Sequence, residues 1–344
     1  MRVVVVERFG PPEVMTLREM PDPQPRAGEV RVRLTSIGVN HADLMARRGE
    51  YRLYSGEPPF IPGLEGGGII DAVGDGVSAE RLGQRVILSA EAPRRPGAPN
   101  PVEGTYRTHY VVPAEQALLA PDNLPDDALG TVWLSHLTAW GCLVWKQGIK
   151  EGDVVAIPAA TSSVGLAAAQ VARACGAVAI GLTRTERKAE ELKALQPLEF
   201  DHVVVTHNPD GSMRPWAREL KRLTDGRGVD VFFDPVANGP YLDSEIQALA
   251  QRGTIWIYGL LGKPGVVDLT PLIRKQASIR GWVLGELLTA DPAERLEMQR
   301  EVLRQFEAGV YRQRIAARFA LEEVRQAHET MERAEHIGKI VLIP

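Results

Sequence analysis

Hydrophobic and polar positions follow one rhythm in the first third of the chain and another in its middle. Up to about residue 127 the apolar runs are short, with glycine and proline between them: Val30 to Leu34, Gly68 to Val73, Gln84 to Leu88 and His109 to Val112. Such spacing predicts a compact, β-barrel-like domain, and Met1 to Glu7 adds a short edge strand. From about residue 128, brief apolar runs alternate with longer stretches of helical period. The runs are Val154 to Pro158, Val178 to Thr183, His202 to Val205, Val229 to Phe233 and Thr254 to Tyr258. That βαβα order predicts an α/β fold with a doubly wound parallel sheet. A helix over Pro292 to Ala308 closes this part. A strand near Arg314 to Phe319, a helix near Glu322 to Ala334 and a strand Lys339 to Ile343 then form a tail too short to be a domain. The tail is expected to rejoin the first domain, giving one domain over 1–127 and 310–344 and a second over 128–309.

Charge changes the picture by exclusion. The 344 residues carry 40 Lys and Arg against 44 Asp and Glu, a net charge of -4, which gives nucleic acid or an anionic membrane nothing to bind. No run approaches the roughly 20 apolar residues that span a bilayer. Cys142 and Cys175 lie in apolar helical patterns and read as small buried hydrophobes, so a disulfide framework is not expected and the protein is expected in the cytoplasm. The pairs Arg47-Arg48 and Arg94-Arg95 read as solvated surface, and the Pro- and Gly-rich loop Glu91 to Gly104 as the mobile segment.

Candidate chemistry enters at Ala159-Ala160-Thr161-Ser162-Ser163-Val164-Gly165, between an apolar run and a helical pattern. A helix N-terminus offers unpaired backbone N–H groups and a partial positive charge, which together hold phosphate without a basic side chain. In the G-x-G-x-x-G signature the first glycines let the pyrophosphate approach; here Ala160, Ser162 and Gly165 take those places. Ser162 and Ser163 can donate to phosphate or cap the helix, with Val164 in the same turn. An ordinary capped helix would look the same in these seven residues; the alternation that follows favours a dinucleotide. An NAD-preferring site places an acid about 20 residues on, to bind the ribose hydroxyls. This chain has Thr183-Arg184-Thr185-Glu186-Arg187-Lys188 there, with no acid at the strand tip. A 2′-phosphate calls for cationic, forked donors, so the cofactor is read as NADPH, with Arg184 leading and Thr183 and Lys188 in support. Arg187 and Lys188 can equally form a solvated helix face beside Glu186 and Glu190.

From Gly38-Val39-Asn40-His41-Ala42-Asp43 through Arg48-Gly49-Glu50-Tyr51, Pro59 to Gly68, Leu137-Thr138-Ala139-Trp140, Ala159 to Gly165 and Tyr258-Gly259 to Gly338-Lys339-Ile340-Val341, the chain resembles the medium-chain dehydrogenase/reductase superfamily. Within it, the resemblance is to the zinc-free, zeta-crystallin-like quinone oxidoreductases. It implies a GroES-like β-barrel-type catalytic domain split around a Rossmann domain, with the active site in the cleft between them, and a homodimer. The sheet runs Thr254 to Tyr258 and Ser278 to Val283 would suit pairing in such a dimer. Zinc-dependent relatives have a cysteine where Asn40 stands and a histidine where Leu64 stands. Catalytic zinc needs three protein ligands, so no metal is expected; His41, Asp43 and Glu65 would be the alternative metal site, but Glu65 is read as ordering a turn and His41 a loop.

Without a Lewis acid, hydride transfer favours acceptors that delocalise the arriving electrons, and the protein must hold the acceptor and donate to its developing oxyanion. Two catalytic residues are expected: Tyr51 as proton donor, at the position used by enoyl reductases of the superfamily, and Asn40 as a hydrogen-bond donor to substrate or to the nicotinamide ribose. Tyr51 could also simply pack, and Asn40 could form an Asx turn. By resemblance, Thr138 reaches the cofactor at a helix start, and Gly259 and Leu260 offer backbone to the nicotinamide. His109, His136, His202, His207, His328 and His336 read as structural or surface residues. The expected function is NADPH-dependent reduction of a small quinone or enone. The alternatives are an enoyl-CoA reductase, with Arg47, Arg48 and Arg52 at a basic entry, and a non-catalytic NADPH-binding protein.

Overall fold

The computed structural model describes residues 1–94, 102–195, 197–263 and 265–344, so Arg95 and the part of the expected mobile loop up to residue 101 lie outside the described residues. Two compact units form, Met1–Leu134 with Asp291–Pro344, and Ser135–Ala290.

The second unit is a six-stranded, wholly parallel sheet. Its spatial order is His202–Val205, Val178–Thr183, Val154–Ile157, Val229–Asp234, Leu249–Ile257, Ser278–Gly281. Numbered along the chain this is 3-2-1-4-5-6, the Rossmann order, whose reversal point sits beside the first strand. That strand is buried at every position, because helices cover both faces of a parallel sheet. Its core interleaves sheet residues such as Ala156, Ile180, Val204 and Phe232 with Trp216, Leu220, Tyr241 and Ile246 from the helices.

The first unit is a seven-stranded sheet in the order Ile315–Ala320, Lys339–Ile343, Glu29–Gly38, Gly67–Val73, Arg85–Leu88, Ala117–Leu119, with His109–Pro113 also paired to Glu29–Gly38. Strand Arg2–Val6 pairs separately with Met15–Glu19. The tail strand Lys339–Ile343 docks antiparallel on Glu29–Gly38, with Val341 opposite Gly38. This pairing carries Lys339 into the interior, where it is 1% exposed.

Two expectations change. The helix Pro292–Glu307 groups with the first unit, not with the parallel sheet it was expected to close. Gln299 accepts the Ala90 N–H at 3.0 Å and donates to Glu91 at 3.1 Å, and Asn123 donates to the Phe306 carbonyl at 2.8 Å. Polar side chains thus tie a helix whose apolar pattern alone suits either unit. Arg47, expected on the surface, is 1% exposed. It lies on the inward face of helix His41–Arg48 and pairs with Glu332 at 2.5 Å.

Between strand Val154–Ile157 and helix Ser163–Ala174 the chain turns with Ala159 at φ 50°, a left-handed conformation that non-glycine residues seldom adopt. A Cβ on Gly165 would stand 2.8 Å from the Ala159 carbonyl oxygen and 3.0 Å from Ala160 Cα, so only glycine lets the helix lie this close to the turn. Gly165→Ala is expected to destabilise the protein by about 1–3 kcal/mol through overpacking, read as a lower midpoint of urea unfolding followed by far-UV circular dichroism.

Candidate active site

In the first unit the site grows from one helix start. Asn40 is extended (φ -127°, ψ 153°), and the Asp43 carboxylate reaches back to accept its N–H at 2.9 Å, opening helix His41–Arg48. Gly49 ends the helix at φ 79°, and Tyr51 begins the short helix Arg52–Ser55. Tyr51 is half-buried against the core, its ring 5.9 Å from that of Tyr54. Its hydroxyl has no hydrogen-bond partner among the described residues. The Tyr54 hydroxyl, by contrast, donates to Asp43 at 2.7 Å and accepts the Gly63 N–H at 2.9 Å. Asp43 also accepts from Tyr106 at 3.3 Å, and the same hydroxyl lies 3.1 Å from His328 Nε2. Burial pushes the Asp43 carboxyl up to about 6, against the pull of its Tyr54 and Asn40 hydrogen bonds. Burial, with Arg47 and Arg48 nearby, lowers His328 to about 3, leaving it neutral.

The strongest charges in this unit were not legible as a set. Lys339 Nζ donates to Asn40 Oδ1 and to Glu65 Oε1, both at 2.5 Å. Glu65 Oε2 accepts the Leu134 N–H at 3.0 Å. Asn40 Nδ2 donates to the Gly38 carbonyl and to Glu65 Oε1, each at 3.1 Å. The Asn40 amide, expected to face substrate, is therefore engaged on both its N–H bonds and its oxygen, and the residue is only 8% exposed. Glu65, read as a turn residue, joins a buried ion pair with Lys339, both side chains 1% exposed. These positions do not suit zinc. Leu64 is apolar and Asp43 is held by two phenols and an N–H, while Glu65 faces an ammonium that would repel a second cation. Among the described residues no group of three or more His, Cys, Asp or Glu could hold a metal ion.

In the second unit, Ser162 caps helix Ser163–Ala174 with its Oγ accepting the Gly165 N–H at 3.0 Å; Ser163 and Val164 lie in the partly exposed first turn. The Tyr258 hydroxyl lies close to Ser162, bringing the end of strand Leu249–Ile257 near the helix start. Gly259 packs on Pro235 and Leu260 is 69% exposed. A glycine, an open backbone and a capped helix start thus converge, and they fit a dinucleotide's pyrophosphate and ring. Thr183 ends its strand buried, its carbonyl accepting the Thr206 N–H at 2.8 Å. Arg184 follows, exposed, with no hydrogen-bond or ion-pair partner among the described residues. The nearest acid in sequence, Glu186, is taken by Arg214 at 2.7 Å, and Arg187 pairs with Glu191.

One position differs from expectation, and one gains a neighbour that the sequence did not show. Thr138 lies within helix Trp133–Trp140, not at its start; its carbonyl accepts the Trp282 indole N–H at 2.9 Å. His207, read as structural or surface, stands beside Arg184: burial and that guanidinium lower its pKa, and Nδ1 lies 2.8 Å from Thr206 Oγ. A signal existed, since Thr183 and Thr206 are backbone-paired ends of adjacent parallel strands and the next residue on each follows the same edge. The basic entry imagined for an acyl-CoA is largely neutralised, because Arg47 and Arg48 share Glu332 and Arg52 pairs with Glu57 at 3.0 Å.

No helix among the described residues is long and apolar enough to cross a membrane. Residues 26–122 match the alcohol dehydrogenase GroES-like domain, and residues 163–302 match the zinc-binding dehydrogenase family. A 2-haloacrylate reductase from a Burkholderia species is 31% identical over 352 aligned residues, which cover 99% of this chain and 98% of the relative. The structure of an Escherichia coli quinone oxidoreductase complexed with NADPH matches at 28% identity and a TM-score of 0.81, over 100% of both chains. A crystal structure described as an NAD-dependent alcohol dehydrogenase matches at 31% identity and a TM-score of 0.83, again over 100% of both chains. With its GroES-like and Rossmann parts and these full-length relatives, the chain belongs to the medium-chain dehydrogenase/reductase superfamily, in its quinone oxidoreductase branch.

Proposed function

We propose that the protein is an NADPH-dependent reductase of quinones or other α,β-unsaturated carbonyl compounds, working without a metal. The oxidoreductase class follows from its relatives, whose printed names include a haloacrylate reductase and a quinone oxidoreductase. The observation that carries the finer reading is the Lys339 ammonium between Asn40, where zinc-dependent relatives have a cysteine, and Glu65, next in sequence to Leu64. A fixed cation there opposes binding of a second cation, which favours an acceptor whose own conjugation takes up the electrons.

Relatives named for NAD and for NADPH share this fold, so cofactor choice rests on the tip of strand Val178–Thr183. An exposed Arg184, a neighbouring His207 and an engaged Glu186 suit a 2′-phosphate and give adenosine ribose hydroxyls no free carboxylate. Thr183 shapes the same tip, with Lys188 as a further cation. The helix start at Ser162, Ser163 and Val164 takes the pyrophosphate, and Gly259 and Leu260 flank the nicotinamide. Bound NADPH supplies a hydride from the C4 position of its ring. Tyr51 then donates its phenolic proton to the acceptor as negative charge builds there. Asn40, its amide already engaged, acts through structure: it holds the helix start that precedes Tyr51.

Four outcomes test this reading. In steady-state assays with a panel of quinones and enones, kcat/KM with NADPH is expected to exceed that with NADH. Arg184→Ala should raise KM for NADPH by about tenfold or more, the scale of a lost charge-assisted hydrogen bond, and leave KM for NADH nearly unchanged; equal efficiency with NADH in the unsubstituted protein overturns the assignment. The low pKa of free His207 leaves it neutral at pH 8. A phosphate dianion favours its charged form, so the Kd for NADPH should tighten from pH 8 to 6.5 more than that for NADH, and His207→Gln should flatten the difference. Lys339→Met leaves the Glu65 carboxylate buried without its partner and is expected to cost about 3–5 kcal/mol of stability. Glu65→Gln in that background should restore part of it, as read by urea unfolding, whereas stoichiometric zinc in the purified protein would overturn the metal-free chemistry.

A further inference from the structure

We propose that Tyr54, held by Asp43, is the positioning residue that aims the Tyr51 phenol for proton delivery, an inference that rests on the Tyr51 role proposed above. Tyr51 sits on a short turn in which its own ring is only half-buried and its hydroxyl is unheld. The helix it begins, Arg52–Ser55, has four residues, and Arg52 and Leu53 are exposed, Leu53 to 90%. Isolated turns of this length do not hold a geometry by themselves. What anchors this one is Tyr54. Its N–H donates to the Tyr51 carbonyl at 3.0 Å, and its ring packs at 5.9 Å from the Tyr51 ring. Its hydroxyl, in a side chain only 6% exposed, is pinned between Asp43 Oδ1 and the Gly63 N–H.

Asp43 is itself fixed on every side. It is fully buried, it accepts the Asn40 N–H and the Tyr106 hydroxyl on Oδ2, and Tyr106 in turn meets His328. The Tyr54 phenol thereby ties the turn to the ordered core of the first unit, beside the packing of the Tyr51 ring and the Arg52 guanidinium 5.1 Å over the Phe9 ring. A general acid is effective only while its donor is held within hydrogen-bond reach of the reacting atom. The reaction balances simply. The O–H bond of Tyr51 breaks, its proton goes to the carbon or oxygen of the acceptor that carries the new negative charge, and the phenolate recovers a proton from water. Tyr54 exchanges no proton in this step.

The test is a double-mutant cycle on the full chain, with NADPH oxidation followed using 1,4-naphthoquinone and 3-penten-2-one as acceptors. Tyr54→Phe is expected to lower kcat by about tenfold or more, the scale of a misplaced catalytic group, with the Kd for NADPH unchanged. In the Tyr51→Phe background the same substitution should change kcat by less than about twofold, because the group it positions is gone. Asp43→Asn, of equal volume, should follow the same pattern, and thermal melting checks that each variant is folded. A loss of kcat from Tyr54→Phe that is equal in both backgrounds, or an unchanged kcat in folded Tyr54→Phe and Asp43→Asn, overturns the positioning role. Unchanged kcat in Tyr51→Phe alone, or no turnover of either acceptor by the unsubstituted protein, instead overturns the function proposed above and takes this inference with it.

Discussion

The buried pair between Lys339 and Glu65 is the constraint on which the first unit depends. Two charges removed from water are costly, and their attraction offsets that cost only where the geometry is good and the remaining polar atoms are satisfied. Here those conditions are met. The ammonium bridges Glu65 and the Asn40 oxygen, and the second carboxylate oxygen takes the Leu134 N–H. The pair also joins segments far apart in sequence, since Lys339 belongs to the last strand and Glu65 precedes Gly67–Val73. Gly38 makes this approach possible, because a side chain there would collide with Glu65, Lys339 and the Gly130 carbonyl. Removing either charge would leave the other stranded in the interior, with the start of helix His41–Arg48 directly attached to it.

The two units solve different chemical problems with different materials. In the second, the surface proposed for the cofactor is made of backbone: a capped helix start, a strained Ala159 turn, Gly165 packed against it and Gly259 on Pro235. Backbone N–H groups at a helix start suit an anion and need little from side-chain identity, which is why two of the usual glycines can be replaced by Ala160 and Ser162. The first builds its surface from side chains locked in a buried network that runs from Asn40 and Glu65 through Asp43, Tyr54 and Tyr106 to His328. Such networks are rigid when satisfied and costly when broken, a property suited to holding a proton donor.

Much of the architecture was legible because it follows from local period. Four of the five apolar runs of the middle segment reappear as strands with nearly the same limits, the fifth begins earlier, at Leu249, and the Ser162 cap and the Arg184 strand tip lie where the pattern placed them. The misreadings share a cause. Arg47 looked like surface, yet it lies on the buried face of a helix, paired to Glu332, 285 residues away in sequence. Thr138 was placed at a helix start by resemblance of its motif, whereas the helix begins five residues earlier, at Trp133. The helix Pro292–Glu307 was assigned by neighbourhood along the chain, while its polar contacts reach back to Ala90, Glu91 and Asn123.

Sequence alone determined what periodicity and local chemistry control: a parallel α/β sheet, a capped helix start after its first strand, a cationic tip after its second, and apolar or amide residues where zinc ligands would stand. It could not decide which distant side chains meet. Lys339 is one cation among forty and Asp43 one acid among forty-four in this chain, and their partners are chosen by strand pairing and burial, for Lys339 across hundreds of residues. A charge has no local period, so only the tertiary structure could show that Lys339 lies between Asn40 and Glu65. The same holds for Tyr54, whose single hydroxyl ties a four-residue helix to the core.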